Sequence, residues 1–319
     1  MAAHLYPARS AVLPALLAAL AGALRHWRLI VLGWLAGLLP AAFAAAPIRS
    51  LANQALGRDP DAARIAAGHD LEPVIEALLS LPDGGLGAGL SRFGLHASLA
   101  LLIAALLAPW LAGMLVASLR EGRALGFAEL WSGGWREYGR QFRLLLVAII
   151  PAALVIGLAM LLAAWVRSGQ DTRILEAVGA QRQRIALWAV ASAAALAWLG
   201  IETGRAAFAR DPGLRSAFRA WRRGLRLLFG RPFAVLLVAA VTAATGSGIA
   251  FLLQKPMLAG AATGTALLLA QLAVAVLWWS RIARLTALTS VSPPPRAPAP
   301  APAPAAVNAE PDASPAPAS

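Results

Sequence analysis

The chain contains no cysteine, which excludes disulfides, thiolate metal sites and cysteine nucleophiles. Lysine is nearly absent too, since 28 basic residues include a single lysine, Lys255, and the rest are arginine. Charged residues make up 13% of the chain, against about 25% in soluble domains. The most informative absence is local. Six stretches, at about 29–48, 97–118, 144–166, 185–201, 232–253 and 261–280, hold no Asp, Glu, Lys or Arg. Intramembrane ionisable groups serve proton relays and coupled carriers, so a chain without them in its apolar runs is a poor ion-coupled transporter.

What is present is apolar. Hydrophobic residues reach 59% of 319 residues, and mean hydropathy is +0.67. Each uncharged run matches the ~30 Å hydrocarbon core at helical rise. Backbone groups in lipid must bond within their own segment, so the runs read as helices. The alternating pattern of a membrane barrel is missing. The expected fold is all-α: a polytopic membrane bundle of six helices in three hairpins. Its parts are an N-terminal segment 1–28, a membrane domain 29–285 with an outer loop at 49–95, and a disordered Pro/Ala-rich tail 286–319. Ala42 to Ala46 offers a cleavage-like sequence, but 28 residues precede the run, so it reads as a retained span.

Arginine sets the orientation. With Met1 inside, the inner segments carry 19 basic residues and the outer segments 9, which places both termini in the cytoplasm. The net charge of +13 is then a matter of orientation and anionic lipid rather than nucleic acid, because no nucleic-acid-binding motif accompanies it.

Three segments share one pattern, Arg-x-aromatic leading into an apolar run: Arg25-His26-Trp27-Arg28, Arg140-Gln141-Phe142-Arg143 and Arg231-Pro232-Phe233. Each opens an out-and-back helix pair, which points to a three-fold repeat in one orientation rather than an inverted one. An amphipathic stretch precedes the last two. Leu214, Ala217, Phe218, Trp221, Leu225 and Leu228 follow the spacing of one helix face, with Asp211-Pro212 as cap and first-turn proline. Arg215, Arg219, Arg222, Arg223 and Arg226 lie beside that face, as in a helix lying among lipid headgroups. Phe127, Leu130, Trp131, Trp135, Tyr138 and Phe142 repeat the logic, with a kink expected at Gly133-Gly134. Trp27, Trp131, Trp135, Phe142, Trp221 and Phe233 are the expected interface anchors. Ahead of the first span, 12–24 is apolar nearly all round but broken by Pro14, and is left open between interfacial and re-entrant.

Candidate chemistry is sparse. Gln271 is the best intramembrane polar residue, with an interhelical contact as its ordinary role. Glu202, at the inner end of the fourth run, pairs most simply with Arg205. His69, Asp70, Glu72 and Glu76 in the outer loop are better explained as caps and first-turn acids of two short helices, 60–67 and 72–80, than as metal ligands. Gly33 to Gly37 and Gly260 to Gly264 match the close-packing spacing of membrane helices, and Pro40, Pro109 and Pro151 are expected to kink or end theirs. No phosphate-binding glycine loop, H-E-x-x-H or G-x-S-x-G occurs, so neither an enzyme nor a cofactor is expected.

The string Pro47-Ile48, Leu56 to Ala63 and Ala67 to Leu71, followed by Leu111-Ala112-Gly113 and Gly139 to Leu144, resembles a group of bacterial integral membrane proteins with no assigned activity. The chain is also loosely similar to the six-span membrane domain attached to some glycerophosphodiesterases. The resemblance implies a bacterial inner-membrane location and carries over no catalytic residue. The function expected is non-enzymatic: an accessory or scaffold module that engages anionic lipid through its basic amphipathic helices, with a further membrane protein as partner. The alternative is a transporter or channel for a neutral or lipidic substrate.

The topology has a direct test, since single cysteines meet no native thiol. Asp61→Cys and Gln170→Cys should label from outside and Arg136→Cys and Arg222→Cys only from inside. Outside labelling of Arg136→Cys would overturn the orientation.

Overall fold

The computed structural model describes residues 12–56, 85–168, 176–258 and 263–292. The two outer-loop helices, the set around His69 and the tail beyond Ser292 lie outside these residues. Among the described residues every regular element is helical, so the expected all-α bundle is what the chain forms. The helices are α1 (Val12–Ala23), α2 (Trp27–Leu56), α3 (Gly85–Glu121), α4 (Phe127–Arg167), α5 (Glu176–Arg210), α6 (Ala217–Gly230), α7 (Pro232–Leu258) and α8 (Thr263–Val291). One 3₁₀ turn, Leu24–His26, joins α1 to α2. Six stretches are long and apolar enough to cross a membrane: Val12–Pro47, Phe93–Glu121, Phe127–Arg167, Gly179–Arg210, Pro232–Pro256 and Gly264–Val291.

The hairpins α2/α3, α4/α5 and α7/α8 each pack internally. They also interlock. The segment leading into each hairpin packs on the returning helix of another: α4 on α3, α6 on α5, and α1 on α8. The third contact closes the cycle, because α1 precedes the first hairpin and α8 ends the last. The three-fold pattern read from Arg-x-aromatic therefore has a counterpart in packing. The stretch 12–24 takes part in this packing. This stretch is a helix whose Leu16, Ala19 and Ala23 are buried, and the Trp279 indole donates to the Leu20 carbonyl at 3.1 Å. The last helix likewise runs to Val291, with Leu288 and Val291 buried, so residues 286–291 belong to the bundle and not to the tail.

Burial is lopsided along the helices. The densest runs of buried residues are Leu111 to Ala117 of α3, Leu199 to Ala209 of α5 and Ile282 to Leu288 of α8, all at the arginine-rich end. Toward the other end Leu101, Leu154, Met160, Trp188 and Leu268 stand exposed. Lipid tails are as apolar as leucine, so those side chains gain little by turning inward, and close backbone approach has to hold the helices instead.

Small residues provide that approach. A Cβ on Gly113 would sit 2.8 Å from the Gly134 carbonyl oxygen, and one on Gly134 would meet Trp110 and Met114. Gly133-Gly134 is thus a helix-crossing point, and α4 runs through it without interruption. Gly33 faces the Trp278 ring, whereas Gly37 and Gly264 have open space where a Cβ would go. Pro40, Pro109 and Pro151 all lie inside helices and end none of them. At the α3–α4 turn Gly122 takes φ +66°, the left-handed conformation that stops α3. Glu129 then accepts from the Gly126 N–H at 2.7 Å and pairs with Arg123, fixing the start of α4.

Among these glycine contacts, the closest approach to a neighbouring backbone joins α5 and α6. A Cβ on Gly224 would lie 2.5 Å from the Gly204 nitrogen and 2.7 Å from the Thr203 hydroxyl. Gly224→Ala should lower stability by about 1–3 kcal/mol, because backbone has to move. Gly157→Ala, with open space at its Cβ, should leave the thermal midpoint unchanged or slightly raised. Thermal unfolding of both variants in detergent checks the contrast, and equal midpoints would refute the seam.

Candidate functional site

The basic helix starts later than its sequence suggests. Ser216, not Asp211, is the cap of α6: its hydroxyl accepts from the Arg219 N–H at 3.4 Å. Asp211 instead closes a turn by accepting from the Gly213 N–H at 3.0 Å, and it pairs with Arg223. The buried face is Ala217, Ala220, Gly224, Leu227 and Leu228, set against α5 and α4. It is rotated from the expected apolar face, because the seam selects small residues for close approach rather than large ones for area. Phe218 is left exposed, while Trp221 and Leu225 are half-buried over Gly200.

On the opposite side Arg219, Arg222, Arg223 and Arg226 are exposed, as is Arg215 just before the helix. Arg223 is held by Asp211. The other four have no ion-pair partner among the described residues. Exposed apolar rings flank this row: Phe218, Phe229, and Phe233, which is 82% exposed. A second aromatic group runs along the start of α4. Trp110 meets Trp131 edge-on at 4.6 Å, Trp135 lies 5.5 Å from Tyr138, and Tyr138 stacks on Phe142 at 5.9 Å. Trp131 and Trp135 are both exposed. Trp27 meets Phe127 edge-on at 5.8 Å, with the Arg28 guanidinium over both rings. Arg28 also donates to the Leu125 carbonyl at 3.1 Å. Of the aromatic residues singled out in the sequence, Trp27 thus has a guanidinium on its ring, and Trp131, Trp135 and Phe142 belong to the ring cluster of α4.

Two buried carboxylates occupy the same end. Glu137 of α4 is 6% exposed and takes Arg120 of α3 at 2.7 Å and Arg140 at 3.3 Å. Arg120 also donates to the Phe208 carbonyl of α5 at 2.9 Å, so one guanidinium ties three helices. Glu202 of α5 is 1% exposed and ion-paired with Arg205, with Arg281 and Arg284 of α8 close enough to act on its charge. The sequence reading reached the Glu202–Arg205 pair but not the arginines of α8, nor Glu137. Both omissions have one cause: their partners come from other helices. The Arg-rich i, i+3 environment of each acid was the only local signal.

Gln271 accepts a hydrogen bond from the Trp34 indole at 2.6 Å, joining α8 to α2. Gln141 is buried between helices, and neither amide atom has a partner among the described residues. Within those residues no group of three or more acidic or histidine side chains is arranged to hold a metal. Comparison with protein-family models, with curated proteins and with solved structures finds no match.

Proposed function

We propose that the protein is a non-enzymatic scaffold or accessory module of a bacterial inner membrane, with both termini cytoplasmic, that gathers anionic lipid at its cytoplasmic face. The observation carrying this reading is the row Arg215, Arg219, Arg222 and Arg226, exposed, without acidic partners among the described residues, and flanked by exposed Phe218, Phe229 and Phe233. Guanidinium groups at headgroup depth with aromatic rings beside them are the side chains that an anionic leaflet retains. Because α6 is fixed to α5 by its small-residue face, the row is rigid and presents a defined surface. Each arginine contributes about 1 kcal/mol near an anionic surface, less where salt screens it.

A transport reading has less behind it. Gln271, the best polar group along the spans, is engaged by Trp34.

Full-length protein in nanodiscs of graded phosphatidylglycerol content tests the proposal. Native mass spectrometry after extraction should find retained phosphatidylglycerol in excess of phosphatidylcholine. Replacing Arg219, Arg222 and Arg226 together by Gln should lower that excess about tenfold or more, and added salt should do the same in the unmodified chain. An unchanged lipid ratio in the triple variant would overturn the proposal.

A further inference from the structure

A different set of arginines, inside the bundle, is out of charge balance. Glu202 brings one negative charge against Arg205, Arg281 and Arg284. Arg205 holds one oxygen of Glu202, and the other, Oε2, is buried without a hydrogen-bond partner among the described residues. Nε of Arg205 and Nε of Arg284 are buried and unpartnered in the same sense. Arg284 is only 8% exposed, and its guanidinium lies 4.3 Å from the centre of the Trp198 ring. Arg281 lies 5.0 Å from the Trp278 ring. Two indoles thus hold two guanidiniums by their faces, which leaves N–H donors at the edges for another acceptor.

Arginine does not relieve such an imbalance by losing a proton. Water satisfies donors but brings no charge. Burying unpaired cations is expensive, so a set with a surplus of two positive charges calls for an anion. The chain offers no second carboxylate to this group among the described residues. Guanidinium forks match phosphate oxygens in pairs. Arg281 and Arg284 immediately follow the last uncharged run, at the depth where lipid phosphates lie.

We propose that Arg205, Arg281 and Arg284, between the inner ends of α5 and α8, form a binding site for a phosphate group, carried on a lipid headgroup or free in solution. Glu202 sets the strength of the site by offsetting one of the three charges and by orienting Arg205. The site shares no residue with the α6 surface, so it stands or falls independently of the lipid-gathering reading.

The test uses full-length protein in phosphatidylcholine nanodiscs. Thermal unfolding is followed in sodium phosphate and in sodium chloride at equal ionic strength, and again in nanodiscs containing phosphatidylglycerol. Phosphate or phosphatidylglycerol should raise the midpoint over the chloride, phosphatidylcholine reference. A rise with phosphatidylglycerol alone assigns the phosphate to lipid, and a rise with inorganic phosphate shows that the free ion suffices. The rise should vanish in Arg281→Gln and shrink in Arg284→Lys, which keeps the charge but loses the fork. It should persist when Arg219, Arg222 and Arg226 are Gln. Glu202→Gln should bind phosphate about tenfold more tightly, a coupling of ordinary size for neighbouring charges. No rise in either arm, or a rise unaffected by both Arg281→Gln and Arg284→Lys, would overturn the proposal.

Discussion

The fold depends on carboxylates buried among arginines at one end of a helical bundle. Glu137 joins α3, α4 and, through Arg120, α5. Glu202, also buried, pairs within α5 with Arg205, and Arg281 and Arg284 of α8 are near enough to act on its charge. Apolar association gives helices little to gain in lipid, so directional contacts have to choose which helix meets which. A paired buried acid does so because leaving either partner alone is strongly unfavourable. The same joints keep the ends together while the opposite halves of the helices display large apolar side chains outward.

Small residues make the joints reachable. Gly113 with Gly134, Gly204 with Gly224, and Gly246 against Ser280 bring backbones within contact distance. The Ser280 hydroxyl then donates to the Thr242 carbonyl at 2.6 Å, a bond across the α7–α8 seam that only such proximity permits. In the cyclic arrangement, where each lead-in segment rests on another hairpin's returning helix, two of the three seams, α4 on α3 and α6 on α5, use this device. A closely packed arginine-rich end is the result, and both the proposed lipid-gathering surface and the proposed phosphate site draw on it.

Much of the architecture was legible in the sequence. Uncharged runs of bilayer length marked the spans, and Arg-x-aromatic marked the repeat, because the bilayer imposes both patterns locally. The detail of α6 was less accessible. Periodicity placed Phe218 and Trp221 on the apolar face, whereas Ala220 and Gly224 are the residues in the seam, since close packing favours absence of side chain over apolar bulk. Asp211 had the composition of a cap, yet Ser216 has the position. Gly133-Gly134 looked like a weak point in a helix and is a crossing point, a distinction that depends on α3 alongside it. The buried charge clusters stayed hidden for the same reason: Glu137 and Arg120 are 17 residues apart, and Glu202 and Arg284 are 82 apart, so only the fold brings them together.

The central claim is that buried acid–arginine joints, rather than apolar packing alone, specify the bundle. A double-mutant cycle on Glu137 and Arg120, using Glu137→Gln and Arg120→Gln singly and together, measures the joint directly through unfolding free energy in a fixed detergent. The account predicts a coupling of about 2 kcal/mol or more, clearly above that of the exposed Arg123–Glu129 pair measured the same way. A coupling no larger than that of the exposed pair would contradict it.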